Sequence, residues 1–302
     1  LQKKGIILEN AFPQPMIKPK IIVDSPHHNA ECPLWHPQQQ CLYWTDIPRG
    51  KLFRYYPQTD IHSEIYSGEP VGGLTLQADG SLLLFKTKGT IERWEEGKTT
   101  ILKNEIPAER HTRFNDAIAD PMGRVFSGTM ATPDDKGRLY RIDTDGSIHV
   151  MLENLLVPNG MGFSPDLKYF YFTDSDARTI YRFNYDKETG NITNGEHHII
   201  TLPSEGVPDG MTVDAQGYIW SARWDGGHLY RYTSDGDEVL RIEFPALKVT
   251  CMAFGGSDYS ELYVTTAGGN ERSREGDGAG AIFQLEPGVK GVPEFTSRIT
   301  VA

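Results

Sequence analysis

The strongest constraint in this chain is a phrase that recurs at even spacing. Residues 157–166 read VPNGMGFSPD and residues 207–217 read VPDGMTVDAQG, with Asn159 in one copy and Asp209 in the other. Four further segments fall into the same phase: Glu31 followed by CPLWHPQ, Gly72 by GLTLQADG, Asn115 by DAIADPMG, and Thr250 by CMAFGGSD. Each runs anchor, small or polar residue, apolar residue or Pro, variable residue, apolar residue, then a polar turn. The anchors lie about 41 to 50 residues apart, the spacing of four-stranded propeller blades.

Strand signals fill the intervals. CLYWTDI, SLLLFKT, YFYFTDS, YIWSARW and ELYVTTA are short runs rich in aromatic and β-branched residues, bounded by turns such as ADG, DTDG, SPD, DAQG and SDG. No stretch of a dozen residues carries a helical period. The pattern predicts an all-β fold, a six-bladed β-propeller of four-stranded antiparallel blades around a central channel, as one domain over residues 1–302. A sandwich would not repeat one period six times. The segment preceding Glu31 contains KIIVD, Lys20 to Asp24, and is expected to complete the last blade. In such a ring, Glu31, Gly72, Asn115, Asn159, Asp209 and Thr250 would meet around one mouth of the channel.

Composition narrows the partners. Hydrophobic residues make up 38% of the 302 and charged residues 24%, and the formal net charge is −11. That balance disfavours nucleic acid or an anionic membrane, which want a basic face. The longest apolar runs, such as Ser81 to Phe85, are too short to span a bilayer. The opening LQKKGIILENAFPQPM lacks the apolar core of a signal peptide, so the expected location is cytoplasmic. Cys32, Cys41 and Cys251 have no metal-type spacing and read as small packing residues.

The ring is where chemistry enters. Glu31, Asn159 and Asp209 offer two carboxylates and an amide oxygen, and Asn115 a second amide. Hard divalent cations take such all-oxygen sets, Ca²⁺ first, with Mg²⁺, Mn²⁺ or Zn²⁺ possible. Two carboxylates that close would repel each other unless a cation sat between them. Singly, each anchor is also an ordinary turn residue before a strand. In HTRFND, Arg113 stands two residues before Asn115; it could bind the oxygens of a polar ligand or pair with Asp116 or Asp209. His36 reads as structural, and His27 and His28 as a loop near the mouth. Trp44, Trp220 and Trp224 read as packing between blades. No GxSxG elbow, P-loop or GxGxxG is present.

The segments AECPLWHPQQQCLYWTDIPRGKLFRY, RFNDAIADPMGRVFSGTM, VPNGMGFSPDLKYFYFTDS, VPDGMTVDAQGYIWSARWDGG, FGGSDYSELYVTTA and GVKGV together resemble the regucalcin/gluconolactonase family of six-bladed, metal-dependent lactonases, from about Glu31 to Gly291. The resemblance implies metal ligands at Glu31, Asn159 and Asp209 and substrate contacts at Arg113 and Asn115. It implies a sugar lactone as partner and a monomer or weak homodimer. One departure stands out: after GTM, animal members carry a longer acidic segment that lends a Glu to the substrate. Here ATPDDKG is shorter, with Pro133 at that place and Asp134 and Asp135 following. Asp134 would have to replace that Glu, or nothing does.

These readings converge on a metal-dependent hydrolase of sugar-acid lactones. The metal would act as Lewis acid, Asp209 as general base, and Arg113 and Asn115 would orient the substrate. Two alternatives remain at this level: an aryl-esterase or organophosphate hydrolase on the same site, and a non-enzymatic calcium-binding protein.

Overall fold

The computed structural model describes residues 17–300; residues 1–16, on which the reading of the leader rests, lie outside them. It contains six four-stranded antiparallel sheets. Their innermost strands are Ala30–His36, Val71–Leu76, Phe114–Ala119, Pro158–Phe163, Val207–Val213 and Val249–Gly255, which begin blades 1 to 6 in that order. The first five blades are each built from consecutive strands. In the sixth, Lys20–Val23 pairs with Ile282–Leu285 as the outermost strand. A strand from before the first blade thus completes the last one and closes the ring.

Burial explains why these strands lack simple alternation. Second strands such as Cys41–Asp46, Leu82–Lys86 and Val125–Thr129 are buried at every position, because a blade packs on both faces. Outermost strands such as Ile61–Ser67 and Lys98–Lys103 are mostly exposed. The core is divided into six apolar clusters, each filling a seam between neighbouring blades. Phe126, Phe163, Phe170 and Phe172 fill the seam between blades 3 and 4. Trp35, Trp44 and Tyr263 fill that between blades 1 and 6, where Trp35 stacks on Tyr263 at 5.5 Å.

The segment 290–300 crosses the face opposite the strand beginnings. Ser297 N–H donates to Leu76 O at 2.7 Å, Arg298 N–H to Gly123 O at 2.8 Å, and Gly291 N–H to Tyr259 O at 2.9 Å. Glu294 and Phe295 line a small cavity of about 50 Å³ at that end of the channel, so the channel opens toward the other face. Among the described residues no helix is long and apolar enough to cross a membrane.

Candidate active site

In all six innermost strands, pairing with the neighbouring strand breaks at or beside the anchor. The register shifts between Glu31 and Leu34, Val71 and Gly73, Phe114 and Asp116, Asn159 and Met161, Pro208 and Met211, and Val249 and Cys251. A bulge of this kind bends a strand and re-aims a side chain. In blade 1 it carries Cys32 to a φ of 51°. Two of the approaches are clamped by an aspartate that ends the second strand. Asp46 accepts the His28 and Asn29 N–H groups, both at 3.1 Å. Asp174 accepts those of Leu156 and Val157 at 2.9 and 2.8 Å. The repeated TD in CLYWTDI and YFYFTDS was the sequence signal for this device.

Glu31, Asn115, Asn159 and Asp209 line one cavity of about 340 Å³ together with Arg113. They come from blades 1, 3, 4 and 5. The other two anchors do not line it. The Thr250 hydroxyl donates to Ala30 O at 2.7 Å and is fully buried. Gly72 leaves space: a Cβ there would stand 1.9 Å from Phe114 O and 3.0 Å from the Arg113 guanidinium. The glycine lets Arg113 reach across from blade 3.

Buried hydrogen bonds hold the set. Asn159 donates from Nδ2 to Ser175 Oγ at 3.1 Å and to Asp209 Oδ1, and its Oδ1 accepts Gly160 N–H. Glu31 Oε2 accepts Cys32 N–H at 2.9 Å. Asn115 Nδ2 donates to Pro158 O at 2.8 Å, and its Oδ1 accepts from Arg113 Nη1 at 2.7 Å. Arg113 donates also to Phe114 O at 2.9 Å. It forms no ion pair with Asp116 or Asp209, so its sequence-based pairing partners are replaced by an amide and a carbonyl.

The electrostatics are dominated by two buried carboxylates in one cavity. Glu31 and Asp209 are only 7% and 6% exposed. Burial pushes the Asp209 carboxyl up to about 8; the Asn159 hydrogen bond opposes this and the Asp116 charge adds to it. Glu31 is raised well above the ordinary carboxylate range, by burial first and then by the charges of Asp209 and Asp116. Burial lowers the pKa of Arg113, while Glu31 and Asp209 oppose the shift. Among the described residues no three His, Cys, Asp or Glu side chains group as a metal site. The donor set is two carboxylates plus the Asn159 amide, with room for water in the cavity. That chemistry fits a hard divalent ion.

Several expectations shift. Trp224 lines this cavity rather than packing only between blades, whereas Trp44 and Trp220 are buried in seams. His27 is buried, bonded to Gly280 O at 2.7 Å and to the Trp44 indole N–H at 3.3 Å, and is not a solvated loop residue. His36 is structural, with Nε2 at 3.2 Å from Gly80 O. The loop carrying Asp134 folds on itself, with Thr132 Oγ1 accepting the N–H groups of Asp134 and Asp135. Asp134 is exposed and is not among the residues lining the cavity. The polar residues Asn29, Ser175, Asp176 and Asp225 also line the cavity and had no repeat-phase signal.

A six-bladed propeller with an oxygen-rich, carboxylate-bearing cavity at one mouth of its channel defines the class. Residues 29–268 match the model of the SMP-30/gluconolactonase/LRE-like region, and the chain belongs to that family. It is 45% identical over 285 residues to the pentonolactonase XacC of Haloferax volcanii, covering 92% of this chain and 97% of that protein. It is 34% identical to the 6-deoxy-6-sulfogluconolactonase of Pseudomonas putida, covering 85% and 89%. Among solved structures it is similar to the calcium-binding protein regucalcin of Agrobacterium tumefaciens, with a TM-score of 0.87 and 26% identity over 94% of this chain and 98% of that one.

Proposed function

We propose that the chain is a metal-dependent hydrolase of sugar-acid lactones. The observation that carries this is the convergence of Glu31, Asn115, Asn159, Asp209 and Arg113 on one cavity, with two buried carboxylates that stay raised in pKa despite the nearby Arg113 charge. The similarity to a pentonolactonase and a sulfogluconolactonase supports the lactone as substrate class. The likeness to a calcium-binding protein supports Ca²⁺ as the ion.

Glu31, Asn159 and Asp209 would hold the ion. A divalent cation bound there supplies Lewis-acid polarisation of a carbonyl. The remaining chemistry belongs to the chain. Asp209 takes the proton of the attacking water, because it is a channel-facing carboxylate already held by Asn159. Arg113 and Asn115 orient the lactone by its oxygens; their mutual hydrogen bond of 2.7 Å sets the guanidinium before substrate arrives. The seam packing beneath keeps these groups fixed.

The test is lactone hydrolysis by metal-stripped protein against D-glucono-1,5-lactone and five-carbon aldonolactones, with Ca²⁺, Mg²⁺, Mn²⁺ or Zn²⁺ restored singly. Turnover should require a metal and be abolished by Asp209→Ala. A folded, metal-binding Asp209→Ala protein that retains full rate would refute the assignment of the base. Metal binding without turnover of any lactone would favour the esterase or the calcium-binding reading.

A further inference from the structure

The cavity has a second half that the reacting groups do not use. Beyond Arg113 and Asn115 of blade 3, the lining includes Asp176 from blade 4 and Trp224 and Asp225 from blade 5. Asp176 follows the second strand of blade 4, and Trp224 with Asp225 end the second strand of blade 5. Both aspartates are exposed, and Trp224 is half-buried. Asp176 makes no hydrogen bond or ion pair among the described residues, although it stands one residue from Ser175, which holds Asn159. Asp225 adopts a φ of 55° and is fixed by Lys248 Nζ at 2.8 Å. Lys248 in turn stands 5.2 Å from the Trp224 ring centroid and also bonds Glu275. Trp224 is thereby held in place, and its indole N–H donates to no group among the described residues.

The charge balance of this half is one-sided. Lys248 is shared between two carboxylates, Asp225 and Glu275. Asp176 is uncompensated. Arg113, the basic residue of the lining, comes from blade 3 and is bonded to Asn115 rather than to either aspartate. Carboxylates accept hydrogen bonds from hydroxyl groups and repel phosphate or sulfonate. An indole face beside them suits the C–H face of a sugar. We propose that Asp176, Trp224 and Asp225 form a tail subsite that selects a neutral polyhydroxylated chain over an anionic or an unsubstituted one. This rests on the lactonase reading for the position of the ring carbonyl.

Asp176→Asn and Asp225→Asn are near-isosteric. Asn tolerates the left-handed backbone at position 225, so both variants keep the fold. The measurement is kcat/KM of the metal-loaded protein for three lactones: D-glucono-1,5-lactone, its 6-phosphate, and δ-valerolactone, which lacks hydroxyls. Wild type should rank the first highest. In each Asn variant the ratio of neutral to phosphorylated lactone should fall about three- to tenfold, since one repelling charge is removed at a few ångströms. Raising the salt concentration should shrink that difference. Trp224→Ala should lower the ratio of gluconolactone to valerolactone by about tenfold. Unchanged ratios, or a uniform fall for all three lactones, would overturn the subsite.

If the metal-loaded wild type turns over no lactone, the lactonase reading fails separately. Calorimetry of metal-loaded protein with D-glucitol and D-glucitol 6-phosphate then decides the subsite. Preferential binding of the neutral polyol, lost in Asp176→Asn, supports it. Equal binding of both, or none, overturns it.

Discussion

Removing a carboxylate from this site should make the metal-free protein more stable. Asp209 is raised from an ordinary value of 3.8 to about 8, chiefly by burial. The folded state therefore binds this proton more tightly than the unfolded chain. The sign follows: the group's contribution to stability is complete below about pH 4 and is lost as pH rises toward 8. Two pH units inside that window, from pH 5 to pH 7, correspond to about 2–3 kcal/mol, at 1.36 kcal/mol per unit. Asp209→Asn cannot titrate and has nearly the same shape. It also relieves Glu31, which is raised partly by the Asp209 charge. Urea unfolding of chelator-treated proteins at pH 5 and pH 7 reads this directly. Wild type should lose about 2–3 kcal/mol more than the variant between the two values. Adding Ca²⁺ at about a hundred times its dissociation constant should restore about 2.7 kcal/mol to wild type and little to the variant. Parallel pH slopes, or equal stabilisation of both proteins by metal, would refute the picture of two carboxylates held against repulsion for a cation.

Two further outcomes follow from packing. Gly72→Ala places a Cβ 1.9 Å from Phe114 O and 3.0 Å from the Arg113 guanidinium; it should lower kcat/KM by tenfold or more and cost about 1–3 kcal/mol by urea unfolding. Retention of both would mean that Arg113 does not depend on the missing side chain. Phe126→Ala empties the seam between blades 3 and 4, where that ring lies 5.0 Å from Phe170 and is fully buried; calorimetric or urea unfolding should show a loss of about 3–5 kcal/mol.

The repeat made the architecture legible because a closed ring imposes one phase on six segments. The strands that look alike from Glu31 to Thr250 are the innermost strands. Four of the six anchors meet in the cavity. The repeat phase could not say which two would not. Thr250 turns into the wall because its hydroxyl finds Ala30 O, and that partner comes from a blade 220 residues away in sequence. Trp224 looked like another seam tryptophan, since a strand-ending aromatic carries no mark of the face it presents. Asp176 and Asp225 lie past the strand ends, in loops where no period applies. Asp134 was the natural substitute for the acidic loop residue of animal relatives. The loop is too short for that: Thr132 and Asp135 close it into a local turn.

The two anchors outside the cavity explain why a sixfold repeat yields a site with a direction. Thr250 stands between blade 5, which carries Asp209, and blade 1, which carries Glu31. Its hydroxyl braces Ala30, the residue just before Glu31. An acid there would add a third buried charge to a pair already driven upward; a neutral hydroxyl spends its proton on the neighbouring backbone instead. Gly72 does the opposite on the other side of the channel. By offering no side chain, it admits Arg113 from the next blade. The ring thereby gains a guanidinium on the side of blades 2 and 3 and carboxylates at the anchors of blades 5 and 1, with the Asn159 amide at blade 4. On the proposed function, a lactone entering this mouth would meet the carboxylate-bearing wall that is to hold the ion and the wall carrying Arg113 and Asn115. Six equal anchors would have made a symmetric pore. Substituting one by a hydroxyl and one by nothing makes a pocket that can tell a carbonyl from the rest of its substrate.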